Sequence, residues 1–274
     1  MEEQSANNAV EQNFGNERNN AIIKSLSRIK YIKVLFGKNI IRKEGLRMNY
    51  SISGESLPVL KVELGQGEKI QCEAGAMSWM DEGIRMQTQA GGIGKMLSRA
   101  FTGESMFLNE YVAERSGEIA FASKFPGSIR AIEITEGHGL IVQKGSYLAT
   151  AGNINSEVYF QKKLGKGLFG GEGFLMRKFT GSGILFLEVD GSAHEYELSA
   201  GQRKIIDTGN LAAMSESCSM DIQAVEGVKN MLFGGEGIFN TVVTGPGKVV
   251  LQSMPISSTA MKLYQFMPQS SSGN

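Results

Sequence analysis

The sequence contains few of the residues that usually reveal a catalytic or metal site. It has 2 cysteines, 2 histidines and 1 tryptophan among 274 residues. Cys72 and Cys218 form neither a disulfide framework nor a CxxC motif, so the simplest interpretation is two buried free thiols in a reducing cytoplasm. His138 and His194 are far apart in the sequence, and neither has an HxH partner. We therefore expect no bound transition metal and no cofactor.

Long apolar runs and prolines are also scarce. No apolar run reaches the ~18 residues that a transmembrane helix needs. Only 5 prolines accompany 35 glycines, which does not fit a Pro-rich linker. Glycines between short apolar stretches are typical of tight turns and bulges, because glycine adopts positive φ without a Cβ clash.

The sequence has no net charge, but its charges are unevenly distributed. Residues 1–47 carry nine Lys and Arg against five Glu, a net charge of +4, which leaves −4 on residues 48–274. An acidic body disfavours a general phosphate-binding surface and, with it, a nucleic-acid partner.

The basic first segment, residues 1–47, has three interpretations. Residues 1–20 are Asn-rich and are predicted to be disordered, while residues 21–43 are both basic and apolar. Residues 21–43 could form an amphipathic helix on an anionic membrane surface, or remain a weakly helical tail. The third interpretation is that translation begins at Met48. Codons for Lys43-Glu44-Gly45 can contain a bacterial ribosome-binding sequence, and the β-like pattern begins directly after it, so we favour this start.

The body of the chain contains three internal repeats. The pattern F-[TG]-G-E-[SG] occurs at residues 101–105, 169–173 and 233–237. A weaker signature opens at Gly75, Gly145 and Gly209, which precede the pattern's Phe by 26, 24 and 24 residues. Two signatures that hold one spacing three times indicate repeated structural units. Their approximate bounds are 48–123, 124–193 and 194–256.

Within each repeat the apolar residues alternate with a period of two, which is typical of β-strands. Alternation predicts strands over residues 128–134 and 194–198. The more continuous apolar runs at 183–189 and 247–252 predict more fully buried strands, and residues 174–179 are also strand-like. Hairpin-type turns are predicted at residues 180–183 and 244–247. Short helical turns are predicted at residues 95–100 and 228–232. Residues 257–274 are predicted to form a short helix, over 257–267, and a frayed end.

Strand after strand without βα alternation predicts an all-β fold. One repeat is too small to bury both faces of its own sheet, so we expect the three Gly-rich antiparallel units to share a core. The expected body is a sandwich or a double-stranded β-helix-like roll.

Two stretches of the body resemble a known family. GEKIQCEAGAMSWM, at residues 67–80, resembles the E-x-G-A-M opening of the AIM24-like proteins, and GEGIFNTVVTGPGKVVLQS, at residues 235–253, resembles their closing motif. The match covers about residues 48–255. The resemblance implies a fold like that of the tryptophan-attenuation RNA-binding protein and assembly as homotrimers. Mitochondrial members are linked to inner-membrane organisation, and bacterial members have no agreed activity.

The motifs that could carry chemistry favour structural interpretations. Residues 165–170 match G-x-G-x-x-G, but a strand-like run follows them where a dinucleotide site needs a helix. The repeated glutamates could bind a cation, although we favour acceptance of backbone N–H bonds across the Gly-rich turn. Cys218 has no adjacent base to make it a nucleophile. We predict no catalytic, cofactor-binding or metal-binding residue. The candidate structural repeat positions are Gly75, Gly103, Glu104, Gly145, Gly171, Glu172, Gly209, Gly235 and Glu236.

Two functions remain open at this point, and neither is enzymatic. The first is an oligomeric interaction or scaffold protein, expected in the cytoplasm as a homotrimer, with a possible membrane-surface contact that the resemblance implies. The second is a binding module for a small ligand or single-stranded RNA. RNA binding requires basic and aromatic residues on one exposed face. The candidate patch comprises Lys162, Lys163, Lys166, Arg177 and Lys178 with Phe160, Phe169 and Phe179.

Overall fold

The computed structural model describes residues 39–43, 46–87, 108–162, 173–224, 239–264 and 266. The F-x-G-E signatures lie outside these ranges. So do the predicted helical turns at 95–100 and 228–232, most of residues 1–47, and the end of the chain. Predictions for those residues therefore stay predictions. Six of the candidate repeat positions are among them, namely Gly103, Glu104, Gly171, Glu172, Gly235 and Glu236.

The described residues form eighteen strands, one α-helix and two short 3-10 turns. The first strands are β1 Asn39–Lys43, β2 Leu46–Ser53, β3 Val59–Leu64, β4 Lys69–Glu73, β5 Trp79–Met80, β6 Ile84–Gln87, β7 Leu108–Ala113 and β8 Gly117–Ala122. The central strands are β9 Gly127–Ile134, β10 Leu140–Gln143, β11 Tyr147–Lys162 and β12 Phe174–Asp190. The last elements are β13 Ala193–Leu198, β14 Arg203–Asp207, β15 Leu211–Ser215, β16 Ser219–Ala224, β17 Phe239–Thr244, β18 Gly247–Gln252 and helix α1 Ile256–Tyr264.

Three sheets hold these strands, in the orders β1-β2-β3-β8-β5, β13-β18-β15-β10-β12-β11-β4-β7-β6 and β14-β17-β16, with β9 also paired to β12. Every strand pairing in the described part of the chain is antiparallel. The predicted all-β fold is confirmed.

The strand pairings recur along the chain. In the first unit β3 and β5 pair with β8, while β4 and β6 pair with β7. In the third unit β13 and β15 pair with β18, while β14 and β16 pair with β17. The second unit follows the same plan with longer strands: β9 and the start of β11 pair with the end of β12, and β10 and the end of β11 pair with its start. Each of these three groups of strands is called a unit, and the threefold repeat itself stays a prediction.

Neighbouring units are joined by two inter-unit pairings. β4 of the first unit pairs with β11 of the second, and β10 of the second unit pairs with β15 of the third. Three apolar clusters fill the body, and the long strand β12 contributes to all of them. Its side chains in the successive clusters are Ile184 and Phe186, then Phe179, Leu185, Leu187 and Val189, then Phe174 and Met176. β12 therefore packs against residues of all three units.

The predicted turn at residues 180–183 is wrong, because these residues lie inside β12 and pair with β11. Gly181 has φ +112°, a conformation that side chains other than glycine rarely adopt. A Cβ on Gly183 would come within 2.2 Å of the Ala151 carbonyl oxygen. The glycines thus allow two long strands to approach closely, and they do not reverse the chain.

The other predicted turn, at residues 244–247, does connect two strands, but they belong to different sheets: β17 pairs with β14 and β16, whereas β18 pairs with β13 and β15. It is therefore a connection between sheets and not a hairpin.

Near the start of the chain, β1 pairs with β2, so residues 39–43 form a strand where a helix was one of the interpretations. At the other end, α1 confirms the predicted helix. The helices in the described ranges are too short or too polar to cross a membrane.

Candidate interaction surface

A buried polar network lies beneath two of the signature glycines. Gly145 and Gly209 each lie in a 3-10 turn that leads directly into the next strand, β11 or β15. Between these turns, the Gln252 side-chain nitrogen donates to Gln143 Oε1 at 3.2 Å and to the Gly209 carbonyl oxygen at 2.8 Å. Asn210 Nδ2 donates to the Gln252 carbonyl oxygen at 2.7 Å. The network therefore joins the turn that contains Gly209 to Gln143, the residue just before the turn that contains Gly145.

The first signature glycine lies in a different turn. Gly75 has φ +77° and its carbonyl oxygen accepts a hydrogen bond from Lys124 Nζ. A Cβ on Gly145, by contrast, would meet open space. All three glycines lie at turns, and of the three only Gly75 has a conformation that favours glycine.

Asp190 links this network to the helix α1. Its backbone N–H donates to Gln252 Oε1 at 3.2 Å, and its Oδ2 accepts from the Ile256 backbone N–H at 2.9 Å. Burial raises the pKa of the Asp190 carboxyl above its ordinary value, although the Ile256 N–H acts in the opposite direction. The carboxyl therefore holds the start of α1 through the Ile256 N–H. Its burial costs folding free energy when the carboxyl is charged.

A second contact between distant parts of the sequence involves Glu216. Its carboxylate accepts from the Gly139 backbone N–H at 2.7 Å and from Lys178 Nζ at 2.9 Å. The Gly139 N–H, and then Lys178, hold the pKa of Glu216 below its ordinary value. This contact connects the turn after β15 with β12 and the residue before β10, so it too stabilises the contact between units.

The cysteines and histidines do not form a reactive or metal-binding group. Both thiols are free and buried, as predicted. Burial, and then the charge of Glu73, raise the pKa of Cys72 to about 12, and burial also raises the pKa of Cys218. Thiols with raised pKa values are poor nucleophiles. His138 and His194 are exposed, and no cluster of three or more potential metal ligands occurs among the described residues.

The candidate RNA-binding patch is not one exposed face in its described part. Arg177 and Phe179 are buried in β12, and Phe160 packs against the third apolar cluster. Lys178 forms an ion pair with Glu216. Nothing in the local sequence pattern of residues 174–179 shows that this part of β12 is mostly buried on both faces. Lys163, Lys166 and Phe169 lie outside the described residues.

The exposed feature that the structure does show is a set of large apolar side chains along unpaired strand edges. In the described residues six strands end a sheet, and four of them are β5, β6, β13 and β14. In addition, β11 pairs with β4 only at residues 149–151. Every one of these edges carries exposed apolar side chains, namely Trp79, Met86, Tyr196 and Ile205 on the sheet-ending strands and Val158 and Tyr159 on β11. The sequence does not reveal these edges, because Ile205 and Trp79 look like core residues until the pairing partners are known.

A second exposed apolar group belongs to α1 and the residues beside it. None of the helix residues is buried, and its one charged residue is Lys262. The large apolar side chains exposed here are Met254, Ile256, Met261, Leu263, Tyr264 and Phe266. Exposed apolar groups of this kind mark interaction surfaces more often than catalytic sites.

Comparisons with known proteins identify the family of this chain and a solved structure of similar fold. The family described as "Mitochondrial biogenesis AIM24" matches residues 50–254. An uncharacterised protein of Streptococcus pyogenes serotype M6 is 29% identical over 235 residues, which cover 82% of this chain and 93% of that protein. The crystal structure of a Streptococcus pyogenes protein, determined by a structural genomics consortium, superimposes with a TM-score of 0.68 at 26% identity and covers 81% of this chain and 100% of that one. The predicted resemblance is confirmed, and the chain belongs to the AIM24 family.

Proposed function

We propose that this chain is a non-enzymatic interaction protein of the cytoplasm that assembles with copies of itself into a homotrimer. The observation that carries the proposal is the row of exposed apolar side chains on unpaired strand edges, Trp79 and Ile205 above all. An open edge presents unpaired N–H and C=O groups and is a ready template for pairing with another chain. Proteins that remain monomeric usually protect such edges with charges, prolines or bulges.

Two features support an assembly role over catalysis. Cys72, the most deeply buried thiol, has a pKa raised to about 12, which opposes use as a nucleophile. The buried polar groups that the structure brings together, around Gln143 and Gln252, are amides that satisfy one another and hold the units in place. Amides in such a network stabilise and specify a fold.

The second part of the proposal is contact with a membrane surface through α1. Its exposed apolar side chains and Lys262 match the composition of short helices that lie at a lipid interface. Co-sedimentation with anionic vesicles tests this part. Binding that falls when Phe266 and Leu263 are changed to Ser supports it, and equal sedimentation of the variant and the unchanged chain contradicts it.

Ligand or single-stranded RNA binding is the alternative function, and the described patch around Arg177 and Phe179 does not favour it, because both side chains are buried. An ionic-strength series of RNA binding separates the two. Affinity that falls steeply with salt would support RNA binding over assembly alone.

The main test is the mass of the full chain in solution. Light scattering should give three times the chain mass of 29.7 kDa, independent of concentration in the micromolar range. A monomer that remains stable throughout that range would contradict self-assembly.

A further inference from the structure

The first inter-unit pairing has a defined position relative to the signature glycines. Cys72, three residues before Gly75, pairs with Ala149, four residues after Gly145. The two preceding residues of β4 pair in the same way with the two residues that follow Ala149. The strand before one signature glycine therefore pairs with the strand after the next one.

The second inter-unit pairing uses the same positions. Val142, three residues before Gly145, pairs with Ala213, four residues after Gly209. Again the two preceding residues of β10 pair with the two residues that follow Ala213. One rule with one register thus joins the first unit to the second and the second to the third.

The rule leaves one strand without a partner at each end of the series. In the third unit, the strand before Gly209 is β14, which in the described residues pairs only with β17. In the first unit, the strand after Gly75 is β5, which pairs only with β8. β14 and β5 lie at the edges of two different sheets, so the described chain does not close on itself.

The missing partners account for the exposure of the side chains on these strands. Ile141 and Ile205 both lie four residues before their signature glycine, yet Ile141 is 0% exposed and Ile205 is 69% exposed. The position four residues after the glycine shows the same contrast. Ala149 and Ala213 are 0% exposed, whereas Trp79 is 46% exposed. In each case the buried residue lies on a strand with an inter-unit partner, and the exposed one lies on a strand without it.

We propose that β14 of one copy of this chain pairs antiparallel with β5 of a second copy, in the register of the two inter-unit pairings. The proposal rests on the proposed self-assembly and names its interface. The continued register places Ile206 opposite Trp79, Ile205 opposite Met80 and Lys204 opposite Asp81. In the first and second units, the next unit along the chain supplies the partner strand. For the third unit, the second copy supplies it.

Charge and hydrophobicity both suit this pairing. Asp81 is exposed in the single chain, and Lys204 carries the opposite charge. Opposite charges on directly facing residues stabilise antiparallel strands, and like charges destabilise them. Ile205 would meet the partly buried Met80, which already packs against the first apolar cluster. Pairing therefore buries an exposed isoleucine against existing apolar surface.

The symmetry of this contact explains how assembly would end. β14 and β5 are different surfaces, so the contact is head-to-tail and each copy offers one free strand at either end. Head-to-tail contacts give a closed ring if the rotation closes and a filament if it does not. A ring of three copies contains nine units. In such a ring β14 and β5 of every copy are paired.

Disulfide trapping tests the register directly. Full-length chains carrying Ile205→Cys and chains carrying Met80→Cys, with different affinity tags, are co-expressed and oxidised. We expect a disulfide-linked dimer that contains both tags, and chains carrying both substitutions should link into a covalent trimer. Cys72 and Cys218 are buried, so the unchanged chain should form no dimer.

The controls distinguish this interface from other modes of assembly. Met86 is exposed on β6, which the rule does not use, so Ile205→Cys with Met86→Cys should not form the mixed dimer. Linkage of Ile205→Cys chains to one another would indicate a symmetric contact and overturn the proposal. A trimer without the mixed disulfide would overturn this interface while self-assembly stands, and a monomeric mass would overturn both.

A second variant supplies a readout without cysteines. Ile205→Lys changes an exposed side chain, so the fold should be retained, while the buried contact with the second copy would be lost. The solution mass should fall from three chains to one, while the circular dichroism spectrum should remain that of a folded β protein. Met86→Lys, at another exposed position on β6, should leave the trimer intact. A trimeric Ile205→Lys variant would contradict the pairing.

Discussion

Gln252, on the last strand of the third unit, donates a hydrogen bond to Gln143 of the second unit, with 3.2 Å between Nε2 and Oε1. Both side chains are buried, so each needs a partner within the protein. The same Gln252 amide donates to the Gly209 carbonyl and accepts from the Asp190 N–H. The Gln252 side chain thereby joins the second and third units, and Asp190 extends the network to the start of α1.

Replacing Gln252 by Ala should destabilise the fold by about 2–4 kcal/mol, because it leaves the Asp190 N–H and the Gly209 carbonyl buried without this partner. Urea unfolding followed by circular dichroism measures the change. Gln223→Ala, on the exposed face of β16, is the matched control and should change the stability by less than about 0.5 kcal/mol. Equal effects of the two substitutions would contradict a role for the buried network.

Asp190 should make stability depend on pH. Because burial raises its pKa in the folded state, the folded chain holds the proton more tightly than the unfolded chain does. The resulting stabilisation is complete below the unfolded pKa and is lost as the pH rises through the folded pKa. Asn at this position keeps an oxygen for the Ile256 N–H but cannot titrate.

We therefore expect Asp190→Asn to be at least as stable as the unchanged chain at neutral pH. Toward about pH 4 the unchanged chain should gain stability relative to the variant. Unfolding free energies of both proteins across this range give the difference directly. A difference that does not vary with pH, or one that grows in the opposite direction, would show that Asp190 is not the buried acid described here.

Gly183 should not tolerate a side chain. A Cβ there would lie 2.2 Å from the Ala151 carbonyl oxygen, and both atoms belong to paired central strands that cannot easily move apart. Gly183→Ala should cost at least about 1–3 kcal/mol, the usual range for overpacking. Gly145→Ala is the control, since its Cβ would meet open space. Denaturant midpoints that fall by the same amount in both variants would argue against the close approach.

The Cys72 thiol should be unreactive in the native protein. Its pKa of about 12 leaves little thiolate at neutral pH, and the side chain is 0% exposed. Mass spectrometry after brief treatment with iodoacetamide should show no label on Cys72 until the chain is unfolded. Gln223→Cys, on an exposed position, should be labelled at once. Rapid native labelling of Cys72 would contradict its burial.

The local strand assignments followed from the sequence where alternation was clear. β9 and β13 lie where period-two patterns predicted them, and β18 lies where an apolar run predicted a more fully buried strand. α1 lies within one residue of its expected start. The glycines of residues 180–183 misled the prediction, because glycine serves close strand approach as well as chain reversal. The basic and aromatic residues of β12 also misled it, since a strand buried on both faces offers no surface for a ligand.

The sequence by itself determined the all-β class, the spacing of the signature glycines and the absence of a recognisable catalytic motif. Those properties depend on residue type and local periodicity, which are written along the chain. Only the tertiary structure decided which strands have partners and which do not. Ile141 and Ile205 are the same residue at corresponding positions, but one is 0% exposed and the other 69%. The burial of a side chain depends on which strand pairs alongside its own. For Ile141 that neighbour is Met214, more than 70 residues away in the sequence. The local sequence pattern does not encode a contact over that separation.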